Sequence, residues 1–364
     1  MYGHRFLMRS RWLTASLALA LLLLLALPGA TFARSQAGSG FYQETNLVSD
    51  LAGKAHFTDP NLVNPWGISF APSGPFWISD NGTSLSTLYN GQGQPQPLVV
   101  TIPPPAGGTV ALPTGTVYNS FPGAFVVSAN GTSGSSLFLF DTLTGTISGW
   151  SPGVDSTRAI VAVDNSKTGA VYTGLAIGSS KVGPTLYAAN FSAGTIDAFN
   201  GQFAPVKLKG SFHDPNIPVG YAPFNIQSVG SKLYVMYARQ DRVAGKGHGF
   251  VDIFNSNGSF IKRLISQGKL NLPWGVTLAP ANFGKFSNDL LVGNFGNGRI
   301  NAFDPGTGAF LGTLSSQNGL PLVFNRLWAL DFGNGGQGGQ TNQLFFSAGI
   351  QNEQHGLFGV IAAM

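Results

Sequence analysis

Beyond residue 40, short apolar runs end in small and polar residues and are broken by Gly, Asn, Pro and Ser, as in Phe76-Trp77-Ile78-Ser79-Asp80-Asn81 and Leu290-Leu291-Val292-Gly293-Asn294. Short apolar runs bounded by turn residues, rich in Gly and aromatics, predict β-strands. No stretch there keeps the i, i+3, i+4 spacing of an amphipathic helix.

The bursts recur in an order. One element opens on Pro or Leu followed by an aromatic or small residue: Asn64-Pro65-Trp66-Gly67-Ile68 and Leu272-Pro273-Trp274-Gly275-Val276. Weaker copies are Leu112-Pro113-Thr114-Gly115, Ala222-Pro223-Phe224-Asn225 and Arg326-Leu327-Trp328-Ala329. A second element ends in a small residue and then, in most copies, a polar one; its six copies close at Asn81, Asn130, Asn190, Arg239, Asn294 and Gly349. A third ends in an aromatic and Asn or Asp (Tyr89-Asn90, Phe140-Asp141, Phe199-Asn200, Phe254-Asn255, Phe303-Asp304) and runs into a turn; a fourth strand follows, as at 260–266.

Four strands per unit, repeating at roughly 50 to 60 residues, is the meander of a propeller blade. Six copies of the second element predict an all-β, six-bladed β-propeller with four-stranded antiparallel blades. The last unit stops one strand short. Residues 41–48 alternate as a strand should, and they are expected to complete the last blade and close the ring. The segment 158–164 also reads as a strand, with no place in this scheme.

The first 40 residues differ in kind. Arg5, Arg9 and Arg11 precede an apolar run over 13–27, and small residues follow at Thr31-Phe32-Ala33 and Ser35-Gln36-Ala37. This order predicts a secretory signal and short leader over 1–37, cleaved near 33–37, and a single domain over 38–364. Removing the three arginines takes the net charge from +5 to +2. A domain so nearly neutral has no basis for holding nucleic acid, and no second apolar stretch is long enough to span a membrane. The chain has no cysteine, so stability rests on packing. A secreted monomer is expected.

The Asn-Pro-Trp-Gly-Ile start, the Ser-Asp-Asn-Gly strand end at 79–82 and the Leu-Pro-Trp-Gly-Val repeat resemble a family of exported bacterial propellers related to NHL-repeat proteins, some with a PEP-CTERM tail. This sequence ends Ala362-Ala363-Met364 without such a tail. The resemblance implies fold and export, and no activity.

In a propeller, the loops entering the inner strand and those joining the second and third strands share one face. The expected ligand site is therefore a rim made of Trp66, Trp274 and Trp328 at the entries, with Asn81, Asn130, Asn190, Arg239 and Asn294 after the second strands. The long loop 240–249 adds His248. Indoles stack on sugars or apolar ligands, and amides read hydroxyls. This predicts an extracellular binding protein for a glycan, peptide or protein. The same residue types also serve structure, since Trp fills the wedge between blades and Asn caps turns. The alternative is a metal-dependent lactonase holding a divalent cation such as calcium between Asp80 or Asp331 and the amides of Asn130, Asn190 and Asn294. No His-Glu-x-x-His or Gly-x-Ser-x-Gly motif exists, and the Gly-rich run 333–338 reads as a turn.

Overall fold

The computed structural model describes residues 40–364; the leader expected over 1–37 lies outside the described residues. Six small antiparallel sheets form a six-bladed propeller. The first blade runs Pro65–Phe70, Phe76–Asp80, Leu85–Tyr89 and Pro95–Thr101 from the axis outward. The fourth (Tyr221–Val229, Lys232–Arg239, Phe250–Phe254, Phe260–Ser266) and fifth (Pro273–Leu278, Leu290–Asn294, Ile300–Phe303, Phe310–Thr313) repeat the pattern.

The Trp-Gly pairs have a steric reason. A Cβ on Gly67 would lie 2.6 Å from the Thr114 carbonyl oxygen of the second blade, and one on Gly275 would lie 2.6 Å from the Trp328 carbonyl oxygen of the sixth. Glycine lets neighbouring inner strands approach, and the preceding indole fills the space at the axis. Each entry to these strands also turns through a left-handed residue: Asn64 (φ 47°), Leu112 (58°), Leu272 (51°) and Arg326 (55°).

Ring closure is as expected. Tyr42–Ser49 pairs antiparallel with Leu357–Ala363 from Tyr42↔Ala363 to Ser49↔Leu357, with a bulge between Asn46 and Val48. The sixth blade is thus built from both ends of the domain, with Leu327–Phe332 innermost and Gln343–Ala348 next.

Two blades depart from the expected scheme. In the second, Pro113–Tyr118 pairs directly with Phe138–Thr142, so the second strand is not 125–130. Val126–Ala129 and Thr132–Ser135 form a separate hairpin whose tip, Asn130-Gly131, has both residues at positive φ. An Asn-Gly turn between alternating residues closes a hairpin locally, before any longer-range pairing. The segment around 158–164 finds its place as Ile160–Asp164, the outer strand of this blade beside Thr146–Trp150. The third blade has three strands (Tyr172–Ser180, Gly183–Asn190, Thr195–Asn200), and its fourth is reduced to the bridge Phe199↔Pro205.

Candidate functional site

The propeller axis is sealed on one face. Trp66, Trp274 and Trp328, at 1%, 3% and 0% exposure, meet at the centre. Trp66 and Trp274 meet edge to face at 6.2 Å, and Trp274 and Trp328 at 5.8 Å. Phe295 lies 4.3 Å from Trp328 and Phe224 5.8 Å from it, which completes an aromatic plug. The indole N–H of Trp328 donates to Asn64 Oδ1 (3.2 Å) and that of Trp274 to the Thr173 carbonyl (2.8 Å). The three tryptophans expected on an open rim therefore pack against one another and offer no exposed face to a ligand. Three indoles and two phenyl rings are large enough to close the axis.

The expected amides are occupied by the scaffold. Asn81 Nδ2 donates to the Pro113 carbonyl, which ties the first blade to the second. Asn190 donates to Asp197 and accepts from the Val171 N–H. Asn294 accepts from the Asn271 N–H and donates to the Arg299 carbonyl. Asn130 stands exposed at the inserted hairpin's tip, away from this set, because its segment is not the second strand of the blade. Arg239 pairs with Asp241, and His248 Nδ1 lies 2.8 Å from the Val243 carbonyl, closing its own loop.

Past the plug the inner strands line a central chamber of about 190 Å³. It continues towards the face where these strands end, at the partly exposed Phe70, Tyr118 and Ile177 and the exposed Ser228. Polar and apolar groups share its wall about equally, and the polar side chains include Asn225, Gln227, the Ser69–Thr116 hydroxyl pair 3.1 Å apart, and Asp331. Asp331 is the one carboxyl side chain on this wall. Its Oδ1 accepts the Phe332 N–H (2.9 Å). Burial pushes its carboxyl up to about 7, with that hydrogen bond opposing.

The divalent-cation expectation does not fit these residues. Among the described residues no three His, Cys, Asp or Glu side chains gather to hold an ion. Of the five ligands expected, only Asp331 faces the chamber. Asp80 is wholly buried, and burial pushes its carboxyl well above the ordinary range, with Thr87 opposing. Burial thus favours the neutral form of this carboxyl, which disfavours cation ligation.

Gln227 and Asn225 escaped the sequence reading, although a signal exists. The inner-strand copies align at Trp66, Phe224 and Trp328, and the residues that follow, Gly67-Ile68-Ser69, Asn225-Ile226-Gln227 and Ala329-Leu330-Asp331, line the chamber.

No family model matches the sequence. Two uncharacterised proteins of Acanthamoeba polyphaga mimivirus are each 34% identical to it over 332 residues; the matches cover 86% of this chain and 78% and 83% of theirs. Among solved structures, virginiamycin B lyase from Staphylococcus aureus superposes with a TM-score of 0.50 at 11% identity, covering 89% of this chain and 99% of that one. This likeness is one of fold alone.

Proposed function

The chain belongs to one family with the two mimivirus proteins, and we propose that it is an exported binding protein that holds a small polar ligand in its central chamber. One observation carries the reading. The chamber confronts any guest with a single carboxyl, Asp331, among amides and hydroxyls, while the opposite end of the axis is plugged. A concave site with a few convergent polar groups and one perturbed titratable group is a usual form of small-molecule site. A carboxyl poised near neutrality accepts hydrogen bonds from hydroxyl or amine donors when ionised and donates one when protonated. The composition of residues 1–37 supports export, and the near-neutral charge of the remainder supports a role without nucleic acid.

A thermal-shift screen of monosaccharides, polyols, amino acids and amines tests the binding role. Hits are expected to weaken about tenfold or more in Asp331→Asn and Gln227→Ala, the loss of one good polar contact. Hits that bind both variants as tightly as the parent would refute the chamber as the site. Expression with and without residues 1–37 tests export: retention of the full-length protein inside the cell would refute it.

A further inference from the structure

Outside the plug, two guanidinium groups converge on one ring. The Arg326 guanidinium carbon lies 4.8 Å from the centroid of Phe295, and that of Arg242 lies 5.3 Å from the same centroid. The two arrive separately, Arg242 from the long loop 240–249 of the fourth blade and Arg326 from the entry to the sixth. Ring faces attract cations and leave the in-plane N–H groups unserved. Arg326 forms no ion pair or side-chain hydrogen bond with any described residue, and its Nε is buried with no acceptor. Arg242 has one ionic partner, Glu353, at 3.5 Å, longer than a charge-assisted hydrogen bond. Two positive charges thus share a small surface with one loosely held carboxylate.

The backbone here is held away from its preferred regions. Arg326 (φ 55°) has the left-handed turn of the other inner-strand entries, while Arg242 (53°) and the consecutive residues Gln351, Asn352 and Glu353 (52°, 58° and 70°) are left-handed outside that repeat. Left-handed non-glycine residues in such a group mark a surface whose geometry is maintained at a cost.

We propose that this mouth is a binding site for a small oxyanion, a carboxylate or phosphate group, held by Arg326 and Arg242. A planar acceptor pair matches the guanidinium fork of either arginine. Glu353 is the resident competitor, and an arriving oxyanion takes its place beside Arg242. The site stands apart from the chamber, with the aromatic plug between them.

Calorimetry with inorganic phosphate, acetate and malonate at constant ionic strength tests this on the exported protein. Arg326→Gln should weaken binding about tenfold, the loss of one charge-assisted contact, and Arg242→Gln should weaken it by a smaller factor. Glu353→Gln should tighten binding several-fold by removing the competitor. Lys181→Gln, an exposed lysine on another blade, should leave it unchanged. Tighter phosphate than malonate identifies the phosphate form, and the reverse identifies the carboxylate form. If none of the three anions binds at millimolar concentration, or if binding ignores both arginine substitutions, the proposal falls. Should Arg326→Gln fail to fold, Glu353→Gln decides alone, and unchanged affinity there overturns the site.

Discussion

Trp66 on the inner strand of the first blade and Trp328 on the inner strand of the last lie face to face, with ring centroids 3.4 Å apart and planes 20° from parallel. These strands come from opposite ends of the domain. Their stacking is therefore available only once the ring has closed, so the plug and the closure stabilise one another.

Truncating Trp328 should show this coupling. The side chain is fully buried, and Trp328→Ala removes its transfer energy and leaves a cavity at the axis. A loss of about 3–5 kcal/mol is expected in urea unfolding, with a much smaller loss for Trp328→Phe. A loss below about 1 kcal/mol for the alanine variant would mean that the axis re-packs and the plug is not structural.

Tyr42 tests the closing strand more gently. Its hydroxyl donates to the Phe283 carbonyl (3.1 Å) and accepts the Phe286 N–H (3.1 Å), which fastens the sixth blade to the fifth. Tyr42→Phe keeps the ring and strands both backbone groups in a buried setting. The expected cost is about 1–3 kcal/mol with an unchanged denaturant slope. An unaltered midpoint would show that the two groups find other partners.

Much of this fold was legible because its signals are steric. Proline and tryptophan before Gly67 and Gly275 mark where strands crowd an axis, and only packing around a ring uses that combination repeatedly. The hairpin at 126–135 was misread for a physical reason. Its Phe125-Val126-Val127 run is as apolar as the Phe138-Leu139-Phe140 of the true second strand, and an apolar run signals a strand without naming its partner. The rim was misread for another. A sequence shows which residues reach the axis, but whether they close it depends on how three indoles and two phenyl rings fill one cross-section. Asp331 was visible as a carboxylate; its isolation on the chamber wall was not, since that depends on what the other five inner strands contribute.

Arg263 should be needed most at alkaline pH. It pairs with Asp214 and, at 3.0 Å, with Asp252, and it lies over Phe250 at 4.4 Å. Burial pushes Asp252 up to about 7 despite the arginine. Arg263→Met leaves two carboxyls buried without their cation, a loss of about 3–5 kcal/mol when both are ionised. At pH 5 Asp252 keeps its proton and the loss should be markedly smaller. Equal losses at pH 5 and pH 8, measured by urea unfolding, would contradict this account.

Asp331 should destabilise the fold as pH rises. Its folded value is about 7, against about 3.9 for an unfolded aspartate. Between these values the native state holds a proton that the unfolded state has lost, so stability falls with increasing pH and levels off above the folded value. The full shift corresponds to a ceiling of roughly 4 kcal/mol, and because the side chain is partly exposed to the chamber, about 1–2 kcal/mol is expected. Asp141, pushed up to about 6 by burial, and Asp252 carry the same sign, so the wild-type curve alone does not isolate Asp331. The difference between wild type and Asp331→Asn does. It should be small near pH 4, grow in favour of the variant through neutrality and remain constant at pH 8, where no proton is exchanged on folding at this site. A difference that stays flat, or that favours the wild type at pH 8, would mean that the carboxylate is ionised and paired within the chamber, and the ligand chemistry assigned to it would have to change.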